Sequence, residues 1–87
     1  MRRSRAEWMT PADDQILEVL AEEGAGTPSS LAKTLDYNNN YLTTRCTKMT
    51  EYGLLEKPAR GLYRITDAGE SYLAGNLNAE ELESEAE

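Results

Sequence analysis

Histidine and phenylalanine are absent from these 87 residues, and cysteine occurs once, at Cys46. Without histidine the commonest general base is missing, and the usual zinc ligand sets cannot be assembled. A lone cysteine forms no internal disulfide. There is no Gly-rich phosphate loop and no internal repeat. The apolar runs fall far short of the ~20 residues a bilayer span requires, and no apolar stretch follows the arginine-rich start. The carboxylates near the end have no pocket to raise their pKa values. The expectation is a soluble cytoplasmic protein, not an enzyme, with no cofactor, structural metal or membrane association and no evident small-molecule ligand.

Positive charge is also scarce. The formal net charge is -7, opposite in sign to what phosphate neutralisation normally demands. The excess is nevertheless confined to one end: from Asp67 onward there are seven acidic residues and no lysine or arginine, whereas residues 1–66 balance nine against nine. Asp13, Asp14, Glu18, Glu22 and Glu23 crowd one segment. Further on, Lys33, Arg45, Lys48, Lys57, Arg60 and Arg64 outnumber Asp36, Glu51 and Glu56, which leaves room for a locally basic face. Abundant carboxylates, three lysines against six arginines and no phenylalanine fit a proteome adapted to molar salt, where net charge maintains solubility.

Length and punctuation divide the chain into a basic N-terminal arm (1–8), one folded domain (9–77) and a disordered acidic tail (78–87). A chain this short buries only ~60% of its unfolded surface, so every apolar position counts. Trp8 reads as an anchor of the arm against the core. Thr10 as N-cap, Pro11 at the first helical position and Asp13 three residues after the cap open a first helix. Ala12, Ile16, Val19 and Leu20 form its apolar stripe, its other face is acidic and solvated, and Gly24 and Gly26 end the run. Thr27 and Pro28 open a short second helix with Leu31, Ala32 and Leu35 inward. After the turn at Asp36 and Tyr37, Asn38 caps a long third helix over 38–52, with Leu42, Cys46 and Met49 at i, i+4 and i+7 and Gly53 closing it. Residues 54–57 and 62–65 read as two strands around Pro58, Ala59, Arg60 and Gly61, a two-stranded wing. Thr66 starts a last helix with Ala68, Tyr72, Leu73 and Leu77, weakened by Gly69 and Gly75. Five glutamates and few large apolar groups after Asn78 offer nothing to offset the entropy of ordering.

The fold class is therefore mainly α with a small β-hairpin: a three-helix core, a two-stranded wing and a C-terminal helix, which is the winged helix-turn-helix plan. Along that plan, Trp8 to Asp14 with Ile16 and Leu17, then Thr27 to Ser29, Asn40 with Tyr41, Arg45 with Cys46, Gly53 to Leu55 and Gly61 to Asp67 together resemble the haloarchaeal winged-helix regulators related to the phage phi-H repressor. The likeness runs from about Trp8 to Leu73 and implies transcriptional repression or a related DNA-binding role.

The residues point the same way on chemical grounds. With Leu42, Cys46 and Met49 turned inward, Asn39, Asn40, Thr43, Thr44 and Thr47 fall on the opposite, uncharged side of the third helix. Asparagine pairs bidentately with adenine, and threonine offers a hydroxyl together with a methyl for thymine. Asn39, Asn40, Thr43 and Thr44 are thus the base-reading candidates, although asparagines here also serve as turn and cap residues, the simpler reading for Asn38. Arg45 and Lys48 are candidates for the groove or its flanking phosphates, or else partners of Glu51 and Asp36. Ser29 and Ser30 suit a phosphate oxygen at the start of the second helix, and Lys57, Arg60 and Arg64 give the hairpin a basic edge. Arg2, Arg3 and Arg5 compose either a minor-groove arm or a mobile terminus. Tyr63 and Ile65 read as core, Cys46 as a small apolar packing residue, and Tyr41 either covers the turn or stacks near the sugar-phosphate chain. A homodimer is expected, since symmetric operators suit two-fold proteins, with Trp8, Tyr72, Leu73 and Leu77 as interface candidates or as the finish of the monomer core. The competing reading is a winged-helix protein-interaction module that does not bind DNA.

Overall fold

The computed structural model describes residues 7–82. Helix α1 spans Pro11–Glu23, strand β1 Ala25–Gly26, α2 Pro28–Leu35, α3 Asn39–Glu51, β2 Leu55–Ala59, β3 Leu62–Ile65 and α4 Asp67–Leu73, followed by a 3-10 turn at Ala79–Glu81. This is the winged helix-turn-helix architecture, and most of its boundaries are set by local chemistry. Thr27 caps α2 by accepting from the Ser30 amide at 3.1 Å. Asn38 caps α3 by accepting from the amides of Asn40 (2.8 Å) and Tyr41 (3.3 Å). Thr66 caps α4 by accepting from the Gly69 amide at 3.1 Å. Each cap satisfies an amide that would otherwise lack a partner in the first turn.

The expected two-stranded wing is present as the β2–β3 hairpin, and a third strand extends its sheet. Ala25–Gly26, expected only to terminate α1, pairs antiparallel with β3 opposite Arg64 and Tyr63, giving a three-stranded sheet in the order β1-β3-β2. The β2–β3 ladder is irregular between Glu56 and Ala59, the stretch containing Pro58, which has no amide to donate and is tolerated on an edge strand. Gly61 closes the turn at φ +73°, a left-handed conformation that favours glycine.

One core joins the four helices to β2 and β3. Ile16, Leu17 and Leu20 of α1, Leu31 of α2, Leu42, Cys46 and Met49 of α3, Leu54 and Leu55, and Tyr63 and Ile65 of β3 are buried together. Burying each such leucine contributes about 1.5–3 kcal/mol. Of the two roles open to Tyr72, its complete burial and its bond to Asp14 Oδ1 at 2.7 Å favour the monomer core over an interface. Two expectations need correction. Leu77 lies beyond α4, which ends at Leu73. The expected disordered tail begins too early, because Asn78 caps the turn, Ala79 is fully buried and Leu82 packs on the core. The run of glutamates around Ala79 hides its burial in the sequence. Arg2, Arg3, Arg5 and the last five residues lie outside the described part.

Candidate nucleic-acid interface

Helix α3 separates its side chains by helical phase. Leu42, Cys46 and Met49 are completely inaccessible, whereas Asn39, Asn40, Thr43, Thr44 and Thr47 are all exposed. The Thr43 hydroxyl donates to the Asn39 carbonyl at 3.0 Å, and the Thr44 hydroxyl to the Asn40 carbonyl at 3.1 Å. Having given their hydrogens to the helix, both oxygens remain acceptors in fixed positions. Thr43, Thr44, Thr47, Lys48 and Glu51 line an open depression of about 320 Å³. The exposed face thus offers amide donors and acceptors, hydroxyl acceptors and methyl groups without a dominant charge.

The start of α2 is brought to the start of α3. Asn39 Nδ2 donates to Ser29 Oγ at 3.4 Å, and Ser29 and Ser30 are exposed in the first turn of α2. The Lys48 ammonium lies 5.6 Å from the ring centroid of Tyr52, and the Lys57 ammonium 5.6 Å from that of Tyr63. Arg60 is exposed at the wing turn. Arg64 is engaged in the sheet, its guanidinium pairing with Glu56 at 2.7 Å on the neighbouring strand. That pair is half exposed on both sides, a setting in which ion pairs stabilise little and exchange readily.

Arg45 is not where the sequence suggests. Its side chain runs inward from α3 and is 13% exposed, and it faces Asp13, which is wholly buried. Nε donates to Asp13 Oδ1 at 2.8 Å and Nη2 to Asp13 Oδ2 at 2.6 Å, a bidentate pair, while Nη2 also donates to the Trp8 carbonyl at 2.7 Å. The hydrogen bond to Asp13 holds the guanidinium pKa above its usual range against the opposing effect of burial. Asp13 was expected on the solvated face of α1. Burial is possible because the carboxylate also accepts from the Thr10 amide at 3.3 Å and the Thr10 hydroxyl at 3.4 Å, so each oxygen is satisfied. No spacing rule links positions 13 and 45, and sequence reasoning missed both this pair and the role of the Trp8 carbonyl.

Two aromatic groups flank this node. The Trp8 ring stacks on Tyr52, just past the end of α3, with centroids 4.0 Å apart and planes 11° from parallel. Its buried Nε1 has no hydrogen-bond partner among the described residues. Tyr41 covers the turn: 39% exposed, it donates to Thr10 Oγ1 at 3.3 Å and leans on Tyr37. Among the described residues no cluster of His, Cys, Asp or Glu is arranged to hold a metal ion, and no helix is long and apolar enough to cross a membrane.

Comparison with known proteins identifies the architecture's relatives. The family model of the winged helix-turn-helix phage repressor matches residues 1–85. A repressor protein of Halobacterium phage phiH is 37% identical over 89 residues, covering 91% of this chain and 94% of the relative. The crystal structure of a PhiH1 repressor-like protein from Haloarcula marismortui superposes with a TM-score of 0.89 at 35% identity, over 97% of this chain and 98% of that one. The reduced form of MarR from E. coli shares the fold, with a TM-score of 0.72 at 21% identity, over 80% of this chain and 52% of MarR.

Proposed function

Because the chain belongs to the winged helix-turn-helix phage repressor family, we propose that it is a sequence-specific repressor that reads the major groove of double-stranded DNA with α3. Proteins of this family are regulators and not enzymes. The observation that carries the reading is the exposed, uncharged row Asn39, Asn40, Thr43 and Thr44, backed by a fully buried row on the same helix. A helix inserted into the groove needs such a division, with one side anchored in the core and the other carrying hydrogen-bonding groups matched to base edges. Lys48, together with Ser29 and Ser30 at the start of α2, serves flanking phosphates, and Lys57, Arg60 and Arg64 bring the wing to the backbone. Two copies acting as a homodimer would place two recognition helices on a symmetric operator in the cytoplasm.

An acidic protein reading DNA is physically consistent if it works in molar salt. There, counterion release adds little, since affinity falls by about 0.9 log unit per neutralised phosphate for each tenfold rise in salt. Neutral hydrogen bonds from α3 then supply most of the affinity. The similarity to proteins of a Halobacterium phage and of Haloarcula supports that setting.

The test is selection of bound sequences from a random duplex library in molar KCl, with binding followed by fluorescence anisotropy. The expected result is enrichment of one motif, palindromic if the dimer forms. Failure to retain any duplex, even at low salt, would overturn the reading in favour of a protein-binding winged helix.

A further inference from the structure

Two kinds of contact hold α3 to the rest of the molecule. The apolar contacts of Leu42, Cys46 and Met49 resist separation but tolerate small slides, because dispersion is non-directional. The contact between Arg45 and Asp13 has no such tolerance. Two parallel bonds of 2.8 and 2.6 Å join a planar guanidinium to a planar carboxylate with no solvent access, and such fork-to-fork pairs are narrowly directional. A third bond, from the same Nη2 to the Trp8 carbonyl at 2.7 Å, ties the segment before α1 to the same point. At the C-cap of α3, Trp8 grips the helix a second time through its stack on Tyr52. Any rotation or shift of α3 against α1 must break the pair and leave a buried charge unmatched, a far larger penalty than apolar slippage.

We propose that Asp13 and Arg45 are a positioning pair, which fixes the angle and register at which α3 presents Asn39, Asn40, Thr43 and Thr44 to the base edges. Arg45 acts on recognition through Asp13 and the Trp8 carbonyl and makes no phosphate contact of its own. This rests on the DNA-reading function proposed above. It assigns discrimination between sequences to a buried contact that never meets DNA.

The experiment uses the full chain and the duplex selected by the unaltered protein, with a scrambled duplex as control. Binding of Asp13→Asn, Arg45→Lys and the apolar double variant Asp13→Leu/Arg45→Met is measured across a KCl series, at a temperature where circular dichroism shows each folded. Arg45→Lys keeps the charge but cannot span both carboxylate oxygens, and the double variant removes both charges together, so a folded test protein remains if a single change unfolds the chain. The expected result is a loss of about tenfold or more on the selected duplex, with the scrambled duplex within about twofold and the salt slope unchanged. A slope smaller by about 0.9 in Asp13→Leu/Arg45→Met, with equal losses on both duplexes, would identify Arg45 as a phosphate ligand and overturn the proposal. Unchanged discrimination in folded variants overturns it equally. If the unaltered protein retains no duplex, the DNA-reading function itself fails and this inference falls with it.

Discussion

Cys46 shows how far one side chain's behaviour follows from its surroundings. Burial strips hydration from its thiolate and the charge of Asp13 adds to the effect, so its pKa is pushed up from 9.0 to about 12. The folded state therefore holds this proton more tightly than the unfolded chain does. The associated stability is fully present below pH 9 and is lost as pH rises towards 12, with a slope of up to about 1.4 kcal/mol per pH unit. Urea unfolding between pH 8 and 11 is expected to show this decline and Cys46→Ala a shallower one; identical slopes would refute the assignment. At pH 8 a thiol reagent is expected to label the native protein no faster than the chain opens. The packing role of Cys46 was legible from the phase it shares with Leu42 and Met49. The role of Asp13 was not: acidic residues early in a helix ordinarily face water beside the helix dipole. What buries this one is a guanidinium 32 positions away.

At the scale of elements, the signals that lie within a few residues of each other were the readable ones. Thr27, Asn38 and Thr66 cap the helices they were expected to open, because a cap involves only amides two or three positions ahead. Strand β1 was invisible, because two residues, Ala25 and Gly26, become a strand only through Arg64 and Tyr63. Gly69 marks a different limit. In sequence it looks like a weak point of α4, where alanine would gain about 1 kcal/mol of helix propensity. In the structure a Cβ at Gly69 would overlap the Leu54 carbonyl and come within 2.6 Å of Ile65 Cγ1. The expected outcome of Gly69→Ala is therefore destabilisation by about 1–3 kcal/mol, the cost of overpacking a tight contact. Thermal unfolding checks it, and a raised Tm would mean that α4 can move away from the sheet at little cost.

For the whole molecule, the distribution of charge matters more than its sum of -7. The face offered by α3 is neutral and the wing carries the exposed cations Lys57 and Arg60. These two surfaces differ in their response to salt, since phosphate contacts are weakened by it and buried hydrogen bonds are not. In molar KCl, Asn40→Ala is expected to lower affinity for a selected duplex by about 1–3 kcal/mol and Arg60→Ala by less, whereas the Arg60 effect grows as salt is diluted. The reverse order at high salt would assign the affinity to the wing. The helices and wing of this architecture could be read from the sequence because each has its own periodicity. The way they are locked together could not, since Asp13 with Arg45, Ala25 with Arg64, and Ala79 with the core all join distant parts of the chain. The central place of β3, flanked by β2 on one side and by the two-residue β1 on the other, bears on modularity. The span from α1 through α3 is not a detachable cassette, since cutting away the hairpin leaves the backbone between α1 and α2 without its ladder. Grafting this recognition helix onto another scaffold therefore means carrying the wing with it.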